Sequence, residues 1–150
     1  MAQQHEQETG GTGPGHRSVQ MSRTGMGTYL VTNARGGTMS IGSGESDDFT
    51  PVELLLTAIG GCSAIDVDFI TSRLAEPTEF TVITGGEKLR DEHGNHMGEI
   101  EVAFRVRFPD GDAGDSARDR LPRAIAQSHD RLCTVSRSVQ LGTPVHMRED

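Results

Sequence analysis

Three hydrophobic patterns follow one another along the chain. From Ser18 to Ile41 apolar residues come in short alternating runs, VQMSRTG, TYLVTN and GTMSIG, punctuated by Gly25, Gly27 and Gly36-Gly37. That pattern predicts an antiparallel meander of short strands. A polar loop, SGESDDF, then gives way to a nearly unbroken apolar block. Thr50 stands at an N-cap position, Pro51 at the first helical position and Glu53 three residues past the cap, so a helix over about 51–74 opens on a capping box. Leu54, Leu55, Leu56, Ala58, Ile59, Cys62, Ala64, Ile65, Val67, Phe69 and Ile70 leave it little polar face, which predicts a central helix buried on most sides. Gly60-Gly61 in its middle costs about 1 kcal/mol per residue relative to Ala. The step therefore points to a kink or to the close approach of another backbone, and either would set Cys62 beside a break.

Beyond Glu76-Pro77 the period changes to two. EFTVITGGEKLR and EIEVAFRVRF flank the turn residues DEHGNH, and Ile100, Val102, Phe104, Val106 and Phe108 alternate with Glu99, Glu101, Ala103, Arg105 and Arg107. One face of that strand is expected on a core and the other in water. PDGDAGD reads as a loop before a second helix of about 117–132, which would start near Asp119 to keep Pro122 in its first turn. SVQLGTPVHM reads as a last strand. Strands, buried helix, strands, helix, strand make an α+β domain.

Composition narrows the function classes. At 150 residues the chain is the length of one domain, read here as residues 18–150 behind a disordered tail of residues 1–17. The opening MAQQHEQETGGTGPGHR lacks the charged start and apolar run of a secretory signal, and no window reads as long enough for a membrane span, so a cytoplasmic protein without a membrane partner is expected. A net charge of −8 argues against a nucleic-acid partner, which would call for excess Lys and Arg. Two cysteines, Cys62 and Cys133, are too few for a zinc site, and in a reducing compartment they are buried thiols or a redox pair.

The chemistry rests on those two thiols. A free thiol has a pKa of about 8.5, so a nucleophilic Cys62 needs its pKa lowered, and free N–H groups at a helix break could contribute. A second thiol such as Cys133 captures the sulfenic acid that a peroxide leaves on the first. Glu53 lies nine residues before Cys62, about half a turn out of phase on a straight helix, so only a kink would bring it to the same site. Asp66 faces the same way as Cys62 but would raise a thiol pKa, and it reads as structural or paired with an arginine. His129 is placed on the helix face of Cys133 as a base or switch, or simply on the surface. Arg17, Arg23 and Arg35 are the amino-terminal candidates for a guanidinium beside a thiolate. His93 and His96 have ligand chemistry, but their neighbours Asp91, Gly94 and Asn95 are turn formers, so neither metal nor organic cofactor is expected.

At PVELLLTAIGGCSAIDV together with SHDRLCTVSRSVQLGTPV the chain resembles the superfamily of osmotically induced protein C (OsmC) and organic hydroperoxide resistance (Ohr) proteins, over about Ser18 to Val145. The resemblance implies an intertwined homodimer, with antiparallel sheets wrapped around two central helices, and thiol peroxidase chemistry at its interface. It implies Cys62 as peroxidatic cysteine and Cys133 as resolving cysteine of the same subunit, with Glu53 as the assisting carboxylate. A small-molecule hydroperoxide would be the substrate and an external thiol or dithiol the reductant. Three departures mark the general OsmC-like branch. Val52 separates Pro51 from Glu53 where the hydroperoxide branch has Pro-Glu; Arg23 precedes the glycines of RTGMGTY; and CTVS replaces Cys-Pro. No arginine is carried over. A non-catalytic binding or stress-associated dimer, with both cysteines as packing, is the alternative.

Overall fold

The computed structural model describes residues 13–150. Residues 1–12, most of the expected disordered tail, lie outside the described residues. The chain forms two compact units, the first ending at Leu54 and the second covering Leu55–Asp150.

The first unit is the expected meander. Strands β1 (Val19–Gly25), β2 (Thr28–Asn33) and β3 (Thr38–Ile41) form an antiparallel sheet in the order β1-β2-β3, with Arg23 opposite Tyr29 and Tyr29 opposite Ile41. The β1–β2 turn uses Gly27 at φ 73°, a left-handed conformation that favours glycine. Asn33 closes the next turn by accepting from the N–H groups of Arg35 and Gly37, both at 3.0 Å. Val31 and Ile41 are the buried apolar residues of this sheet.

Helix α1 (Pro51–Thr71) begins as its sequence predicts. The Thr50 N–H donates to Glu53 Oε1 at 3.0 Å and the Glu53 N–H donates to Thr50 Oγ1 at 3.3 Å, so two amino-terminal donors are satisfied reciprocally. Two expectations for this helix are corrected. It runs unbroken through Gly60-Gly61, and what approaches there is a side chain: a Cβ on Gly60 would collide with Thr84 Oγ1 and touch Val82, while Gly61 faces open space. Within one chain it buries a single face, Ile59, Gly60, Ser63, Val67 and Thr71, and leaves Ile65 and Phe69 exposed. By length and composition alone α1, at a mean hydropathy of 1.6, also reaches the requirement for a membrane span, which the sequence reading did not anticipate.

Strands β4 (Glu79–Asp91) and β5 (Gly94–Arg107) form a long antiparallel hairpin, shifted in register between Gly86 and Lys88. Ile100, Val102, Phe104 and Val106 are half-buried while their neighbours are exposed, as the alternation predicts, and Phe80 meets Phe104 edge-on at 6.4 Å. The turn is capped by Asp91 Oδ1, which accepts from the N–H of His93 at 2.8 Å and of Gly94 at 3.1 Å.

The carboxyl-terminal third departs from expectation. Helix α2 (Asp112–Gln127) starts earlier than foreseen and carries Pro122 in its interior. Gly111 at φ 113° and Gly114, where a Cβ would collide with the Pro109 carbonyl, let the chain fold back tightly into the helix, and Asp112 and Asp115 favour its positive end. Ser128–Leu132 then widens into a π-turn, and α3 (Thr134–Leu141) is a helix where a strand was predicted. It ends at Gly142, φ 64°, in a left-handed cap. The fold is α+β, with two antiparallel sheets and three α-helices among the described residues.

Candidate functional site

The second unit brings Cys62 and Cys133 together. Cys62 sits in mid-α1, half-buried, and Cys133 lies between the π-turn and α3 with 1% of its surface exposed. Both are free thiols, and their side chains lie close enough for each to affect the other. The amino terminus of α3 faces both sulfurs. The Ser136 N–H donates to Cys133 Sγ at 3.3 Å, and the Val135 backbone bonds to Cys62.

Asp66 and Ser128 make a second rung beside the cysteine pair. Ser128, 1% exposed, donates its hydroxyl to Asp66 Oδ2 at 2.9 Å, and its carbonyl accepts the Cys133 N–H at 2.9 Å. Cys62 and Asp66 are four residues apart on an α-helix, while Ser128 and Cys133 are five apart on a π-turn, and each spacing is one turn of its own helix. The sequence reading allowed Asp66 an arginine as partner; a serine hydroxyl is bonded to it instead. Ser128 was missed because it lies 62 positions from its partner, and Val135 and Ser136 because they act through backbone groups that leave no mark in the residue type.

The electrostatics correct a further expectation. Burial pushes the Cys62 thiol up, the Val135 backbone hydrogen bond pulls it back in part, and the Cys133 side chain and the Asp66 charge raise it again. No cationic side chain of the described residues is among these influences. With α1 unbroken, no helix break supplies N–H groups to Cys62, and the one backbone contribution comes from α3.

None of the remaining candidates is among the influences on the Cys62 thiol. Glu53 is engaged in the capping box, and the Thr50 backbone N–H, then its hydroxyl, hold its carboxyl below the usual range. His129 is exposed and its Nδ1 lies 3.0 Å from Asp130 Oδ1; the five-residue turn aligns Ser128, not His129, with Cys133. Arg17 donates to the carbonyls of His16 and Gly13, and Arg23 and Arg35 are exposed on β1 and in the β2–β3 turn of the first unit. His96 Nδ1 lies 3.5 Å from Asp91 Oδ2 in the hairpin turn, and among the described residues no cluster of three or more His, Cys, Asp or Glu side chains could hold a metal.

An α+β chain with a reduced cysteine pair between its long helix and a carboxyl-terminal turn defines a thiol-bearing class of domain. The family model for OsmC-like proteins matches residues 43–148, and the chain belongs to that family. An uncharacterized protein of Mycobacterium tuberculosis is 29% identical over 129 residues, 85% of this chain and 91% of the relative. The structure of an OsmC-like protein of unknown function from Vibrio cholerae superposes with a TM-score of 0.70 at 11% identity, covering 85% of this chain and 95% of the other. An organic hydroperoxide resistance protein of Bacillus subtilis superposes with a TM-score of 0.53 at 16% identity, covering 83% and 90%. At these identities the two structures establish a shared fold.

Proposed function

We infer that the protein is a cysteine-based peroxidase that reduces organic hydroperoxides, and hydrogen peroxide as a smaller substrate, in oxidative or osmotic stress defence. The observation that carries this reading is the proximity of the two free thiols, Cys62 on α1 and Cys133 just before α3. The Cys62 thiolate attacks the distal peroxide oxygen, the O–O bond breaks, and the alkoxide leaves as alcohol after taking a proton. Cys62 is then a sulfenic acid. Cys133 attacks that sulfur, a disulfide forms and water leaves. An external thiol or dithiol returns both cysteines to thiols, so no metal or organic cofactor enters the cycle. Glu53, held by its capping bonds to Thr50, is included as the assisting carboxylate on the family resemblance alone.

The working form is a cytoplasmic homodimer of one OsmC-like domain over residues 18–150. Ala58, Ile65 and Phe69 line up with Cys62 along α1, and Ile65 and Phe69 are 56% and 60% exposed in the single chain. A second copy covering this stripe would exclude water from Cys62 and supply the apolar surroundings that favour alkyl hydroperoxides.

The raised Cys62 pKa favours a second reading, a non-catalytic stress-associated dimer with both cysteines as packing. Thiol counting and intact mass after one equivalent of cumene hydroperoxide separate the two. Loss of both thiols with a two-hydrogen mass decrease in the wild type, and a sulfenic acid in Cys133→Ser, support the peroxidase. Unchanged thiols leave the non-catalytic dimer, and a Cys62→Ser variant that consumes peroxide at the wild-type rate rules out Cys62 as the peroxidatic residue.

A further inference from the structure

We propose that Asp66 and Ser128 are positioning residues for disulfide closure, a latch that holds the π-turn against α1 so that the Cys133 sulfur stays beside Cys62. The proposal rests on the reading of Cys62 and Cys133 as a redox pair and adds two residues to it.

The argument is geometric. Cys133 directly follows the five-residue π-turn Ser128–Leu132, a form found mostly as single turns and less regular than the α-helix it extends. Two hydrogen bonds converge on Ser128. Its carbonyl closes the π-turn on the Cys133 N–H, and its hydroxyl reaches Asp66. Through Ser128 the backbone of Cys133 is therefore tied to the residue one helical turn beyond Cys62. A carboxylate acceptor makes this bond stronger than a neutral one. Ser128 is almost wholly buried, so losing the bond leaves a hydroxyl that water does not readily satisfy. With the latch closed the two sulfurs are held near each other before any bond forms, and the effective concentration of one thiol at the other is high. With the latch open the turn is free to drift and that advantage falls.

The test reads the cysteine pair without peroxide. Protein is equilibrated at neutral pH with mixtures of oxidised and reduced dithiothreitol, free thiols are alkylated, and the disulfide fraction is read by mass. Two protein thiols and oxidised dithiothreitol give a protein disulfide and the reduced dithiol. Ser128→Ala and Asp66→Ala, which remove the bond from either side, are each expected to lower the equilibrium constant about tenfold, equivalent to about 30 mV for a two-electron couple. Asp66→Asn keeps an acceptor oxygen and stays within about twofold of wild type. The double variant Ser128→Ala/Asp66→Ala loses no more than either single one, because the bond is already gone.

Wild-type equilibrium constants in both single alanine variants overturn the proposal, as do losses that add in the double variant or a wild type that forms no intramolecular disulfide. Asp66→Ala, at the half-buried end of the bond, carries the test if Ser128→Ala does not fold. Failure of the peroxidase reading looks different: the wild type closes its disulfide with dithiothreitol but is not oxidised by cumene hydroperoxide.

Discussion

Gly60 of α1 lies so close to Thr84 of β4 that a methyl group on it would collide with the threonine hydroxyl and come within 3.3 Å of the Thr84 Cβ. Gly61, the next residue, has nothing within 4 Å of the same hypothetical methyl. Two adjacent glycines in one helix thus have opposite reasons for being there, and they respond oppositely to alanine. Gly60→Ala gains about 1 kcal/mol of helix propensity but meets overpacking of about 1–3 kcal/mol, so it is neutral to destabilising. Gly61→Ala keeps the propensity gain and stabilises by about 0.5–1 kcal/mol. Urea midpoints of the two variants check this, and a destabilised Gly61→Ala would place a partner surface at that residue.

The capping box makes a second prediction. Thr50→Ala removes the acceptor for the Glu53 N–H and is expected to cost about 0.5–2 kcal/mol. Glu53 has a lowered carboxyl pKa, so its contribution is present above the unfolded value and is lost as pH falls through the folded one. The stability difference between wild type and Glu53→Gln, followed by denaturation from neutral to acid pH, therefore shrinks on acidification. A difference that does not change with pH would remove the charge from the account.

The raised Cys62 pKa sets the pH dependence of the thiol. Below that pKa the thiolate fraction grows about tenfold per pH unit, so alkylation of Cys62 in Cys133→Ser should accelerate steadily from neutral into alkaline solution. Asp66→Asn removes a charge that disfavours the thiolate, and moves the profile toward lower pH. Stability follows the same linkage with its own sign. The folded state retains a proton that the unfolded thiol gives up, so this contribution is full below the unfolded thiol pKa and is lost as pH rises through the folded one. Cys62→Ser should flatten that alkaline decline in thermal denaturation curves.

The exposed stripe on α1 predicts the assembly. Phe69→Glu puts a charge where a second copy would press and is expected to turn the proposed dimer into a monomer by light scattering, with the circular dichroism of the single chain retained. A wild type that is already monomeric at micromolar concentration would reject the dimer, and would leave Ile65 and Phe69 as unexplained exposed apolar side chains.

What could be read in advance follows the range of the forces involved. The meander, the capping box and the alternation of β5 were legible because each rests on neighbours within a few positions, where glycine turns, reciprocal caps and period-two burial leave a local mark. The strand expected over 138–147 was misread because SVQL alternates like a strand, while Val135 and Val139 stand one helical turn apart in the helix that 138–141 completes. Pro122 drew the expected start of α2 forward, whereas the tight turn through Gly111 and Gly114 nucleates it earlier.

The sequence by itself determined the element types of the amino-terminal two thirds, the two cysteines and the family to which they belong. Only the tertiary structure decided that α1 passes straight through its glycines, that the Cys62 thiol is pushed up and not down, and that Asp66 answers to Ser128. The reason is distance along the chain. Residues 62 positions apart meet only after α1 and the carboxyl-terminal helices have packed, and burial, the main cause of the Cys62 shift, does not exist until they do.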